Sequence, residues 1–238
     1  MEERLRFIEE EVRRGNYALK KLGFWEIVNE AKMDREIALK YGKKIAEINR
    51  FVFEKRWKRK YNVKFGLIIL FLVSIFCIFL YFLATGNKLY LSIYFPIASF
   101  ILSATFHPLT QFAVGRILGI NFIYIYLRGI YIFSRNPKGK IHIEPALKLD
   151  YESYLNSTPL RRAMMHVSGT FVTIAIVFFF FVESFYFDLF LWSRIVCSII
   201  AISYLLTEII YSPRYAAWKH FKEEIKILKM QRSKKVII

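Results

Sequence analysis

The sequence predicts a mainly α-helical membrane protein: a four-span transmembrane helical bundle with a small cytoplasmic β region and an N-terminal cytosolic helical segment. Three observations carry this reading. The 238 residues are 55% hydrophobic and 18% aromatic, against roughly 45–50% apolar for a soluble domain even with glycine counted. The chain is also strongly basic, with 36 Lys and Arg against 19 Asp and Glu. Thirdly, charge and apolar character occupy separate stretches, the pattern of spans alternating with exposed connections. The two cysteines, Cys77 and Cys197, each sit within an apolar run, which excludes a disulfide framework and a thiolate metal site. With 10 Gly and 6 Pro and no repeat of fixed period, low-complexity and solenoid architectures are excluded as well.

Residues 1–63 form the charged helical head. Apolar residues recur at helical spacing in three short pieces: Leu5, Ile8 and Val12; Phe24, Ile27, Val28 and Ala31; Tyr41, Ile45, Ile48 and Val52. Gly15 and Gly23 punctuate them. Such helices pack on one another or on the membrane face, as a solvated charged segment or as a docking element. Trp57 and Tyr61, beside the basic run 55–60, read as an interfacial anchor.

Residues 64–87 form the first transmembrane segment. From Phe65 to Asn87 no charge interrupts FGLIILFLVSIFCIFLYFLATGN, and about 20 residues suffice to cross a bilayer. Its place behind a long charge-rich segment distinguishes it from a cleavable signal sequence. Across Gly86-Asn87-Lys88 follows a second span, about 89–115, in which Pro96 is a candidate kink. A third, about 163–182, follows Arg161-Arg162, and a fourth, about 189–211, carries Arg194 near one end and Glu208 near the other. Together these give a membrane core over 88–218, followed by a basic cytosolic tail, 219–238. Between the second and third spans, Asn121–Tyr126, Gly129–Phe133 and Lys140–Ile143 read as strands, with a turn at Asn136–Gly139. Unpaired strand edges cannot face lipid, so this strand region, about 120–145, must lie against the bundle, in its cavity, or at the interface.

Basic residues collect before the first span, after the second and after the fourth. By the positive-inside rule those connections are cytoplasmic, and both termini with them, in a multi-pass protein of the cell membrane. The bilayer is therefore the expected partner of the positive charge, and nucleic acid is not.

Ionisable groups inside spans are expensive and mark functional candidates. Three stand out: His107, with Gln111 one turn on, in the second span; His166 in the third; Glu208 in the fourth. All fall in the cytoplasmic half of the bilayer, so they could meet in one polar cavity, as a metal or substrate site or as an interhelical His–Glu hydrogen bond. His142 and His220 lie in the basic loop and tail, without an expected role.

The stretch Phe106-His107-Pro108-Leu109-Thr110-Gln111-Phe112-Ala113-Val114-Gly115-Arg116-Ile117-Leu118-Gly119-Ile120 resembles the active-site helix of the site-2 protease family, membrane-embedded zinc metalloproteases with an H-E-x-x-H signature. Residues 158–173, Thr158-Pro-Leu-Arg-Arg-Ala-Met-Met-His-Val-Ser-Gly-Thr-Phe-Val-Thr, resemble the family's entry into its A-G-P-x-x-N helix, with Gly169 kept and Thr170 and Thr173 at its Pro and Asn positions. The resemblance covers about residues 89–218.

It implies a zinc site whose components this chain has largely lost. His107 matches the first ligand, Pro108 the catalytic glutamate and Gln111 the second histidine. A proline takes no proton, and a neutral amide is a poor zinc ligand beside imidazole. The family's L-D-G aspartate would fall near Leu206–Trp218, where Ser212, Ala216 or Ala217 stands and Glu208 is the acidic residue. The resemblance therefore implies a pseudoprotease that binds or holds a membrane-protein partner, with no catalytic residue, metal or cofactor expected. Two alternatives stay open: an active intramembrane zinc metallopeptidase rebuilt from His107, His166 and Glu208, and a small membrane scaffold or transporter subunit unrelated to proteases.

Overall fold

The computed structural model describes residues 1–131, 140–207 and 217–236. Its elements are α1 (Glu2–Arg13), α2 (Phe24–Met33), α3 (Arg35–Arg56), β1 (Lys60–Asn62), α4 (Val63–Ala84), α5 (Lys88–Ile117), β2 (Phe122–Tyr131), β3 (Lys140–Leu149), α6 (Tyr151–Asn156), α7 (Pro159–Tyr186), α8 (Leu191–Leu206) and a final helix, α9 (Ala217–Val236).

The three head helices appear where the apolar spacing puts them, because each buries one stripe: Leu5, Ile8 and Val12 on α1, Phe24, Ile27, Val28 and Ala31 on α2, Ala38, Ile45, Ile48 and Val52 on α3. Gly23, at φ +72°, precedes α2 in a left-handed conformation that favours glycine. The Asp34 carboxylate caps α3 by accepting from the backbone N–H of Glu36 and Ile37. The head is not a free solvated segment. Its core runs on into Ile120, Phe122, Tyr154, Leu155 and Met165, joining it to the sheet, α6 and the start of α7.

Three helices, α4, α5 and α7, are long and apolar enough to cross a membrane. α4 covers the first expected span except residues 85–87, and α5 and α7 contain the second and third and extend them at both ends. α8 has 16 residues, a rise of about 24 Å against a hydrocarbon core of about 30 Å; residues 208–216, which complete the expected fourth span, lie outside the described residues. α4 buries little beyond Gly66, Ser74, Cys77 and Ala84, all small, as close helix packing in lipid requires. α5 continues through Pro96 and Pro108 as one helix. Polar links between these helices include two hydroxyl pairs, Ser74 to Thr105 at 2.8 Å and Ser103 to Tyr204 at 3.1 Å. At the far end from the head, Asp188 pairs with Lys88 at 3.0 Å and Arg194 at 3.3 Å.

The sheet is antiparallel with strand order β1-β2-β3. It departs from the sequence reading in two ways. Asn121–Tyr126 and Gly129–Phe133 are not separate strands: β2 passes through Arg128-Gly129 with a bulge and pairs with a β3 that extends to Leu149. The third strand is the short β1, whose Lys60 and Asn62 face Tyr126 and Tyr124. The expected turn at 136–139 lies outside the described residues. As expected, the sheet lies against the bundle, and two glycines permit it. A Cβ at Gly66 would stand 2.8 Å from Ile125, and one at Gly115 would stand 2.6 Å from the Phe122 ring. Trp57 joins the sheet as well, 4.6 Å from the Tyr126 ring and 5.9 Å from Phe53, so of the expected anchor pair only Tyr61 is exposed.

Candidate functional site

The two stretches that frame the sequence motif meet in space. Among the described residues α5 and α7 form the most extensive helix pair, and Gly169 lets them close. A Cβ there would stand 2.8 Å from His107 Nε2 and 2.8 Å from Gln111 Cγ, closer than side-chain carbons approach other atoms. α7 starts as its sequence suggests: the Thr158 hydroxyl accepts from the Arg161 N–H and Pro159 opens the first turn.

His107 makes one side-chain hydrogen bond across this seam, Nδ1 to Thr173 Oγ1 at 3.1 Å. The Thr173 hydroxyl also lies 3.0 Å from Gly169 O, and that carbonyl is a hydrogen-bond partner of the His107 ring as well. Nε2 lies against the α7 backbone at Gly169. The charges acting on His107 come from Arg128 and Glu144 of the hairpin, themselves joined by two hydrogen bonds of 2.9 and 2.6 Å.

By themselves the donors described at this seam are fewer than the three protein ligands of a catalytic zinc site. One imidazole and one neutral amide stand at the two ligand positions of the motif, Pro108 stands at the base position without a side-chain donor, and His107 Nε2 faces a packed helix. Among the described residues no three His, Cys, Asp or Glu side chains gather into a metal-binding group. Glu208, Ser212 and Ala216 lie outside the described residues; Ala217 opens α9.

His166 does not join His107 through any contact among the described residues. Its Nε2 lies 2.9 Å from the Tyr154 hydroxyl, and its ring is 4.9 Å from that of His220. His220, expected to be idle in the tail, therefore packs on the third span, with Nδ1 3.3 Å from Glu223. The side chain of His142 is not among those described.

Both histidines border a polar cluster for which the sequence gives no motif. Glu224 of α9 is wholly buried. It takes Arg162 Nε at 2.7 Å, Lys32 Nζ at 2.9 Å and the Tyr154 hydroxyl at 2.9 Å. Because Tyr154 spends its one proton on Glu224, His166 Nε2 must be the donor to the tyrosine oxygen. One carboxylate faces two cations, and backbone oxygens make up the difference. Arg162 donates to Leu155 O and Ser157 O at 3.3 and 3.0 Å, and to Lys32 O at 3.1 Å. Two of these carbonyls belong to the last turns of α2 and α6, the negative ends of their dipoles. Burial, with the Glu224 charge behind it, holds the Tyr154 hydroxyl well above its ordinary value, so it stays a donor at any physiological pH.

A second junction ties head to sheet. Lys148 of β3 hydrogen-bonds Asn49 of α3 and lies over the Phe53 ring at 4.9 Å and the Tyr151 ring at 5.3 Å. It has no carboxylate partner among the described residues, and burial pushes its ammonium down to about 8.

Searched against protein-family models, curated proteins and solved structures, the chain matches none.

Proposed function

We propose that this chain is a multi-pass membrane protein that resembles site-2 proteases, does not hydrolyse peptides, and holds a membrane-protein partner. Three of its helices are long and apolar enough to span; in this reading the segment about 189–211 is the fourth. The distribution of Lys and Arg puts both termini in the cytoplasm of a cell whose plasma membrane houses the bundle.

The observation that carries the reading is the setting of His107. The residue matching the family's first zinc ligand is spent on packing: Nδ1 is bonded to Thr173, and Nε2 abuts Gly169 where even a methyl group would collide. Catalytic zinc needs about three protein ligands and an open position for water. Here α7 lies against His107 Nε2 at Gly169, and Pro108 supplies no base. What survives is the scaffold that brings the two helices together, which suits a protein that binds without cutting.

Zinc content of the detergent-purified full chain, measured by elemental analysis for wild type and His107→Ala after incubation with zinc and desalting, tests this. The same substoichiometric zinc in both is the expected result. One zinc per chain, lost in His107→Ala, would overturn the reading and make the protein a metallopeptidase candidate with Glu208 as the next target.

A further inference from the structure

Where the head meets the first span there is an open groove of about 510 Å³. One wall is α3, which presents Lys43, Glu47 and Arg50 at i, i+4 and i+7, one face of the helix. Lys64, in the first turn of α4, and Asp150 and Glu152, at the start of α6, complete its charged lining. Three cations thus face three carboxylates. Two of the six are held in place: Arg50 by Glu54 at 2.8 Å, and Asp150 by accepting the Ser153 N–H at 3.1 Å. Lys43, Glu47, Lys64 and Glu152 have no ion-pair partner among the described residues, so their charges are available to a ligand.

The height of the groove restricts the ligand. Val63 and Lys64 on its rim open a helix of 22 residues whose outward face is apolar from Phe65 on. Beside them Tyr61 is 45% exposed, 6.4 Å from the exposed Phe65 ring, the placement of an aromatic at the headgroup level of a bilayer. A molecule in this groove therefore lies where lipid headgroups lie, within reach of its own acyl chains against α4.

The charge pattern selects among headgroups. Cations alone would favour any anionic lipid, but Glu47, Asp150 and Glu152 repel a net negative headgroup. A phosphate beside Lys43, Lys64 and Arg50, followed a few bonds later by an ammonium that donates to the carboxylates, satisfies both signs. A trimethylated ammonium has no N–H to donate. We propose that the groove is a binding site for a zwitterionic phospholipid with a primary ammonium, of the phosphatidylethanolamine type. The site is independent of the α5–α7 seam and of whether that seam ever holds a metal.

The test is native mass spectrometry of the detergent-purified full chain, titrated with dioctanoyl phosphatidylethanolamine, dioctanoyl phosphatidylcholine, dioctanoyl phosphatidylglycerol and soluble glycerophosphoethanolamine. The ethanolamine lipid should be retained about tenfold better than either other lipid, and the soluble phosphoester should not be retained. In Glu47→Gln/Glu152→Gln the advantage over the choline lipid should vanish. In Lys43→Gln/Lys64→Gln binding of the ethanolamine lipid should fall about fivefold per lysine removed. All four positions are exposed, so the fold should survive, and an unchanged melting midpoint checks it. Equal retention of the three lipids, or retention that neither double variant alters, overturns the proposal. Retention of the soluble phosphoester as strong as that of the lipid overturns the lipid assignment.

Discussion

The α5–α7 seam and the Glu224 cluster are both polar contacts on α7, separated by little more than two turns, and they are built on opposite principles. At the seam every group is neutral, each hydrogen bond is single, and closeness comes from a missing side chain at Gly169. At the Glu224 cluster the groups are charged and multiply bonded, and they come from α2, α6, α7 and α9. The first fixes two helices against each other in an apolar environment, where small residues and one hydrogen bond suffice. The second gathers the head, the third long helix and the last helix, and does so with charges that water can no longer stabilise. It follows that the molecule depends on the second far more steeply than on the first, although only the first carries a recognisable motif.

Removing Glu224 should therefore give the largest effect. Glu224→Ala leaves Arg162 and Lys32 facing each other in a buried site, a change that costs about 3–5 kcal/mol when one partner of a buried pair is lost. The apparent melting midpoint in detergent should drop steeply, and limited proteolysis should release α9 and cut between α2 and α3. Glu224→Gln, which keeps the shape and one acceptor, should fall between. A midpoint within error of wild type for Glu224→Ala would mean that the cluster contributes shape alone and that the comparison is misdrawn.

Overfilling the seam comes next. Gly169→Ala places a methyl group against His107 Nε2 and Gln111 Cγ, and overpacking of this kind costs about 1–3 kcal/mol. His107→Ala in the same chain should recover part of that cost, because the ring it collides with is gone. Additive losses in the double variant would show that His107 and Gly169 do not share the seam.

How much of this was legible beforehand follows from the range of each interaction. Long apolar runs write themselves directly into composition, so α4, α5 and α7 are evident, and the head helices show because each buries a stripe of period 3.6. The seam was legible for a different reason: both of its halves sit in stretches whose framing residues resemble one family motif, so Gly169, Thr173, His107 and Gln111 could be named before their contact was known. Nothing comparable marks the Glu224 cluster. Lys32, Tyr154, Arg162 and Glu224 are scattered over the chain, each inside a stretch whose charge already had an explanation. Arg162 read as the basic flank of the third span, and α9 read as a basic tail because its lysines hide the buried Ile227 and Glu224. β1 was missed because three residues, Lys60–Asn62, inside a basic run give no alternation to detect. His166 read as lying early in its span, but depth says nothing of rotation, and the helix turns it toward Tyr154.

A smaller effect is expected from the seam's hydrogen bond itself. Thr173→Val removes the hydroxyl that bonds His107 Nδ1 and Gly169 O while keeping the volume. Interhelical hydrogen bonds in membranes contribute about 0.6 to 1–2 kcal/mol, so the midpoint should fall by a few degrees at most, less than for Gly169→Ala. A loss as large as that of Glu224→Ala would promote the seam from packing contact to the main support of the bundle.

The least visible effect at neutral pH is the one that separates the charged junctions from the neutral seam most cleanly. Lys148, over Phe53 and Tyr151 with Asn49 as its hydrogen-bond partner, has its ammonium pushed from 10.5 down to about 8 in the folded protein. Between these values the unfolded chain binds the proton that the folded chain has released, so stability contributed at this position rises with pH over that window. Below about pH 8 both states are protonated, and the burial cost of the ammonium is fully present and constant. Tyr154 acts in the opposite sense at still higher pH, since its hydroxyl is held above the ordinary value in the fold. The difference between Lys148→Met and wild type isolates the lysine. Melting midpoints at pH 7.5, 8.5 and 9.5 should show wild type gaining on Lys148→Met as pH rises, while Thr173→Val runs parallel to wild type throughout. Parallel curves for Lys148→Met would mean that water reaches the ammonium in the folded state, and that the α3–β3 junction is as electrically neutral in effect as the seam within the membrane.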